Sequence, residues 1–149
     1  MNTISKKRMN FNNNIKLNFA GGNLTSNSGL LLYKEFDNKI KFSQTIKESL
    51  SFDDNIDHRK HENEDVILQR IYQNAAGYHA DSDANDLRYD NIFKTVLNKD
   101  VLASQPTISR VNTKLNKEHM KQLQKANYKL LDRIHDFKPP KEMIYFKTG

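Results

Sequence analysis

Apolar residues recur along most of this chain at the three-and-four spacing of a helix face, and strand character is confined to two short runs. The first run, residues 15–19, alternates Ile15, Leu17 and Phe19 with polar side chains and stops at Gly21 and Gly22, which predicts an edge strand with a partner towards Leu24. Thr25, Ser26, Asn27 and Ser28 then offer side-chain acceptors for free backbone N–H groups ahead of a first helix running to about Lys39 and burying Leu31, Phe36 and Ile40. Ser43 is placed to cap a second helix through Leu50, and residues 51–60 have no apolar periodicity and read as a loop. Ile67, Leu68, Ile71, Tyr72, Ala75 and Ala76 give the strongest helical face, with Gly77 as its left-handed stop.

Beyond a polar turn, Leu87 leads into Ile92, Phe93, Val96 and Leu97, a further helix that ends at Asn98. Ser104 opens the next, with Pro106 in its first turn, where a missing N–H costs nothing, and with Ile108, Val111 and Leu115 on one side. Asn116 caps the last helix, which directs Met120, Leu123, Leu130, Ile134 and Phe137 inward and ends before Pro139 and Pro140. The second strand-like run, residues 143–146, follows. Residues 1–14, with three consecutive asparagines, read as a disordered tail in which Lys6, Lys7 and Arg8 form at most a basic arm.

Composition narrows the function classes. There is no Cys, which removes disulfides, thiol nucleophiles and thiolate zinc sites. No secretory leader pattern or membrane-length apolar run is present, so a cytoplasmic location without membrane attachment is expected. Lys and Arg number 24 against 18 Asp and Glu, a net charge of +6 that favours an anionic partner.

That charge gains meaning from the helix opened by Ser104. With Ile108, Val111 and Leu115 inward, Gln105, Thr107, Ser109, Arg110, Asn112 and Lys114 face solvent near its amino end. Gln and Asn can bond two edge atoms of adenine, Arg can fork onto guanine, and Ser or Thr can hold phosphate oxygens. Arg88 and Lys94, on the preceding helix, are candidate phosphate contacts, with Arg70 further back. The connection from Leu97 to Ser104 is longer than the roughly 3 to 4 residues of a standard helix-turn-helix turn.

Several segments in order also carry a resemblance: LTSNSGLLL (24–32), EFD (35–37), YQNAAGY (72–78), DANDLRYD (83–90), FK (93–94) and LASQPTISR (102–110). Together they are similar to the amino-terminal region of DDE group 1 insertion-sequence transposases. The resemblance implies a mainly α, multi-helical DNA-binding domain over residues 25–138 with a helix-turn-helix-like element, preceded by a flexible basic and Asn-rich tail (1–24) with a short strand. Residues 139–149 would then be the terminal β-strand remnant of a truncated RNase H-like catalytic domain. It implies double-stranded DNA at transposon ends as partner, with a homo-oligomer or an intact transposase as a further one. Mg2+ is expected for the complete family enzyme but no cofactor in this chain, because Phe146 and Lys147 stand where the family's first metal-binding Asp is expected, and a Lys cannot hold a cation. The chain alone is accordingly expected to lack catalytic activity. Two alternatives stay open: a truncated DNA-binding regulator that inhibits transposition, and a helical protein-interaction module built on the last helix.

Two further patterns fail as sites. Residues 81–86 begin like a calcium loop, but Asp86 replaces the turn glycine and Ile92 the bidentate Glu, so helix capping by Asp83 or Asn85 accounts better for them. His58, His61 and Glu64 approach zinc-ligand spacing without supporting residues and read as a solvated surface. His79, His119 and His135 lack a nucleophile or acid at useful spacing.

Overall fold

Helix-forming periodicity dominates the chain, and the computed structural model is mainly helical; it describes residues 7–17, 27–54, 56 and 59–137. The strand expected near Ile15 is present and pairs with residues that precede it, while the expected continuation to Leu24 lies outside the described residues. Lys7–Arg8 (β1) and Lys16–Leu17 (β2) pair antiparallel, Lys7 opposite Leu17 and Arg8 opposite Lys16. Residues 7–14, expected to be disordered, are therefore ordered. Their anchor is Met9, 0% exposed among Leu30, Leu31, Tyr72 and Phe93, with Glu35 accepting the backbone N–H of Asn10 at 2.9 Å. One buried thioether and one carboxylate hold a segment too short and polar to show any periodicity. The expected strand at residues 143–146 lies outside the described residues.

The first helix, α1 (Gly29–Ile40), buries Leu30, Leu31 and Ile40, whereas Phe36, expected inside, is 51% exposed. Its neighbour Asp37 takes the inward place. This buried carboxylate accepts the backbone N–H of Ser43 at 2.8 Å, the Ser43 hydroxyl and the Tyr72 hydroxyl. Ser43 thus ties α2 (Phe42–Ser49) to α1 instead of capping its own helix. Lys41, left-handed at φ 57°, makes the corner between the two. Burial, followed by the Asp37 carboxylate, pushes the Tyr72 phenol far above its ordinary value, so it stays a hydrogen-bond donor.

The central element is α3 (Asn63–Ala75), which ends at Gly77 with φ 90°. Val66, Ile67 and Leu68 join Ile46, Leu50, Ile108, Val111 and Ala126 in one apolar cluster, while Tyr72 joins Met9, Leu87, Phe93, Val96 and Leu102 in another. Each such aliphatic or aromatic side chain contributes about 1.5–3 kcal/mol on burial. Three short elements follow: α4 (Asp83–Asp86), a 3-10 turn (Leu87–Tyr89) and α5 (Asn91–Leu97). Asp90 caps α5 by accepting the Phe93 N–H at 2.9 Å, and Asn98 ends it in the left-handed region at φ 52°.

The remaining helices are α6 (Gln105–Asn112) and α7 (Lys117–Asp136). Asn116 caps α7 as expected, accepting from the N–H groups of Glu118 and His119 at 2.9 and 3.2 Å. The inward direction of α7 is set by His119, Ala126 and Leu130, so Met120 (61% exposed) and Phe137 (52%) face solvent, contrary to the sequence expectation. No helix among the described residues is long and apolar enough to cross a membrane.

Candidate nucleic-acid interface

The start of α6 is held by side chains from two other helices. On α3, the buried Gln69 amide spans the Ala103 peptide edge: its Nε2 donates to the Ala103 carbonyl at 2.9 Å and its Oε1 accepts the Ala103 N–H at 2.8 Å. On α4, Asn85 accepts the first amide of α6, the Gln105 N–H, at 3.0 Å, and its Nδ2 donates to Gln105 Oε1 at 3.4 Å. Asn85 is therefore a helix cap, though of a helix 20 residues further on. Asp83 serves its own turn by accepting the Ala80 N–H at 3.0 Å.

With Ile108 fully buried and Val111 nearly so, the opposite face of α6 is fixed by helical geometry. Ser109, Arg110 and Asn112 are exposed on it, while Gln105 and Thr107 are half-buried at its amino end. Thr107 Oγ1 lies 3.3 Å from Ser104 Oγ. Lys114, just past the helix, donates to Asp54 Oδ2 at 2.6 Å and to Asn63 Oδ1 at 3.3 Å, so its charge is largely answered inside the protein.

Between α6 and the segment carrying Ile56, Arg59, Lys60, His61 and Asn63 lies a groove of about 270 Å³. Arg110, Lys114, Thr107 and Ser104 form one wall, Arg59, Lys60 and His61 the other, and Arg88 from the 3-10 turn joins them; among the described residues no carboxylate lines it. Lys60 and His61 also line a wider open cleft of about 770 Å³, where Lys94, Lys99, Asn91 and Asn98 stand with Asp100 as the one carboxylate among the described residues. Arg59, Lys60 and His61 were not singled out from the sequence as an anion-binding group. The adjacent cations there were the available signal, but the opposite wall of the groove comes from residues more than forty positions away.

Asp54 and Asp65 decide which cations are available. Asp54 pairs with Arg59 and Lys114, and its carboxyl is held far below the usual range by the hydrogen bond from Arg59 first and from Lys114 second. Asp65 pairs with Lys47 and Lys99; burial opposes its ionisation, but the two ammonium groups prevail and its carboxyl also stays below the usual range. Lys60, Arg88, Arg110 and Lys94 have no carboxylate partner among the described residues. The field of these cations registers on His61, whose imidazole is pushed below its ordinary value by burial first and then by Lys60, Lys99 and Arg88. Arg70, by contrast, is spent within the fold, donating to the His79 carbonyl at 2.6 Å and pairing with Asp81 at 2.9 Å.

A family model for the transposase DDE domain group 1 matches residues 7–146. The chain belongs to that family. No curated protein and no solved structure gives a match. Among the described residues the groove beside the exposed face of α6 is lined by cations and no carboxylate, a field that favours an anionic partner. The described residues contain no group of three or more His, Asp or Glu side chains that could hold a metal ion. His58, part of the triplet with His61 and Glu64, and residues 139–149, where the family's metal-bearing strand was expected, lie outside the described residues.

Proposed function

We propose that this transposase-family chain binds double-stranded DNA at the ends of a transposable element, with the outer face of α6 reading the duplex and the adjoining groove holding its backbone. The observation that carries this reading is the groove itself: Lys60, Arg88 and Arg110 converge on it, with no carboxylate among the described residues of its lining. Two guanidinium groups in its walls, those of Arg59 and Arg88, also have a buried Nε–H without a hydrogen-bond partner among the described residues, as a site awaiting an anion would. Arg110, Ser109 and Asn112 supply the fork, hydroxyl and amide that base edges and phosphates require. Gln105 and Thr107 sit closer to the protein and fit contacts at the groove margin, while Lys94 extends the phosphate track along α5.

The test is a gel-shift and fluorescence-anisotropy series on duplexes from the element ends and on scrambled duplexes. Arg110→Ala is expected to weaken end-specific binding by about 1–3 kcal/mol if it reads a base. If Lys60, Arg88, Lys94 and Arg110 meet phosphates, log K against log salt falls with a slope of about −3.6, and Lys60→Ala or Arg88→Ala makes it shallower by about 1. Equal affinity of wild type and Arg110→Ala for the ends, together with an unchanged salt slope in Lys60→Ala, would overturn the proposal.

A further inference from the structure

The hairpin of β1 and β2 places two cations where the fold alone gains nothing from them. Arg8 and Lys16 stand directly opposite each other in the ladder. Side chains so paired leave the same face with Cβ atoms about 4.5–5.5 Å apart, and like charges there weaken the strand pair. Alternation along β1 turns this face outward, since Met9, the next residue, is fully buried. Both cations are exposed, and neither meets a carboxylate among the described residues. Glu35 is occupied by the backbone N–H groups of Asn10 and Phe11, at 2.9 and 3.4 Å.

The turn between the strands is held from within. The Met9 N–H donates to the Ile15 carbonyl at 3.1 Å and the Ile15 N–H to the Asn12 carbonyl at 3.0 Å, while Asn12 Oδ1 accepts the Asn14 N–H at 3.0 Å. That last bond fixes what Asn12 can read. With Oδ1 directed back onto the turn, its amide offers outward the Nδ2 donors alone, so the paired donor and acceptor contact to adenine in a major groove is not open to it. A minor groove shows acceptors only at A·T pairs, whereas guanine adds an amino group that would set donor against donor. Asn13 and Asn14 are exposed beside it. Asn12 also lines the open cleft that holds Lys94, and Lys60 and His61 line both that cleft and the groove beside α6.

We propose that this hairpin enters the minor groove of a DNA duplex, next to the groove met by α6, and selects A·T pairs there through the Asn12 amide. The inference rests on the duplex-binding reading above and adds a second contacting element to it. A sugar–phosphate strand seated along Lys60 has the major groove on one side and the minor groove on the other, so with α6 in the first the turn meets the second. The minor groove is about 6 Å wide, too narrow for a helix but open to a turn of short amide side chains. Arg8 and Lys16 then reach the phosphates that flank it, which supplies the anions their opposed positions lack.

The experiment is a fluorescence-anisotropy titration of the full chain on element-end duplexes carrying base analogues. Replacing adenine by 2,6-diaminopurine adds an amino group in the minor groove and leaves the major-groove edge as it was; replacing guanine by 7-deazaguanine removes a major-groove acceptor only. Wild type is expected to lose affinity roughly fivefold or more on diaminopurine. Asn12→Asp keeps the acceptor for the Asn14 N–H but has no donor, and is expected to bind the plain and the diaminopurine duplex equally. Arg8→Gln/Lys16→Gln is expected to make the slope of log K against log salt shallower by about 1.8, with a Tm equal to or above that of wild type because the repulsion across the ladder is gone. A 7-deazaguanine penalty that Arg110→Ala abolishes reports on α6, so its absence counts against that reading and not against the hairpin. A wild type indifferent to diaminopurine, an equal diaminopurine penalty in wild type and Asn12→Asp, or an unchanged salt slope in the double variant overturns the inference.

Discussion

Replacing Gln69 by Leu isolates the interaction that sets α6 in place. Gln69 is 3% exposed and Ala103 0%, so no solvent reaches the bonds at 2.8 and 2.9 Å between them. Leucine fills a similar volume but leaves the Ala103 N–H and carbonyl unpaired, at about 1–3 kcal/mol for each buried group. The transfer gain of an apolar side chain, about 1.5–3 kcal/mol, offsets part of this. The net expectation is a loss of about 2 kcal/mol, seen in urea unfolding and as a Tm fall of roughly 4–8 °C. Gln69→Glu separates the two bonds: its carboxylate still accepts the Ala103 N–H but repels the Ala103 carbonyl, and protonation restores a donor. Its stability deficit relative to wild type is therefore expected to shrink as pH is lowered. If α6 reads the duplex as proposed, end-specific DNA affinity falls more than binding to scrambled duplex in both variants, because α6 loses its tether while the surface cations remain. A Gln69→Leu protein within about 0.5 kcal/mol of wild type would refute the claim that this amide anchors α6.

Three further perturbations address the groove and the backbone. Asp54→Asn removes the partner of Arg59 and Lys114 and is expected to tighten non-specific duplex binding several-fold with a steeper salt dependence; unchanged anisotropy titrations would show that the two cations do not reach DNA. The folded-state value of His61 is depressed, so the unfolded chain binds its proton more readily: this group destabilises the fold progressively as pH falls through about 6.5, until the folded imidazole also protonates. A bound polyanion raises the same group, so DNA affinity rises over that window, and His61→Gln is expected to flatten both the Tm and the affinity profiles between about pH 5 and 8. Gly77→Ala meets nothing within 4 Å but must hold φ 90°, for an expected loss of about 1–2 kcal/mol in urea unfolding.

Much of the helical framework was legible because its signals are local. The apolar face of α3, the Gly77 and Asn98 stops, Pro106 in the first turn of α6 and the Asn116 cap each depend on residues a few positions apart. The hairpin of β1 and β2 was not, since its anchors are Met9 in a distant apolar cluster and Glu35, some 25 residues on. Asp37 is polar and reads as surface; only the arrival of Ser43 and Tyr72, 35 residues further on, makes it a buried joint that displaces Phe36. The candidate site divides in the same way. The exposed face of α6 follows from its own periodicity, while the pairing of Lys114 with Asp54 spans 60 residues and the groove wall at Arg59 and Lys60 belongs to a loop without pattern.

The connection before α6 is longer than a helix-turn-helix turn, and it is packed into the fold. Residues 98–104 are not slack: Leu102 and Ala103 are buried, and α6 rests chiefly on α3 and α4 in place of the helix that precedes it. The Leu102 N–H donates to the Arg88 carbonyl at 3.1 Å, and the next peptide is held by Gln69. The backbone that presents Arg88 is thereby tied to the backbone that launches Arg110. A phosphate bridging the two guanidinium groups meets walls already joined, and the ordering cost falls on side chains alone, at about 0.5–1.5 kcal/mol for each. The extra length that departs from a short turn is what brings the 3-10 turn and α6 to one groove.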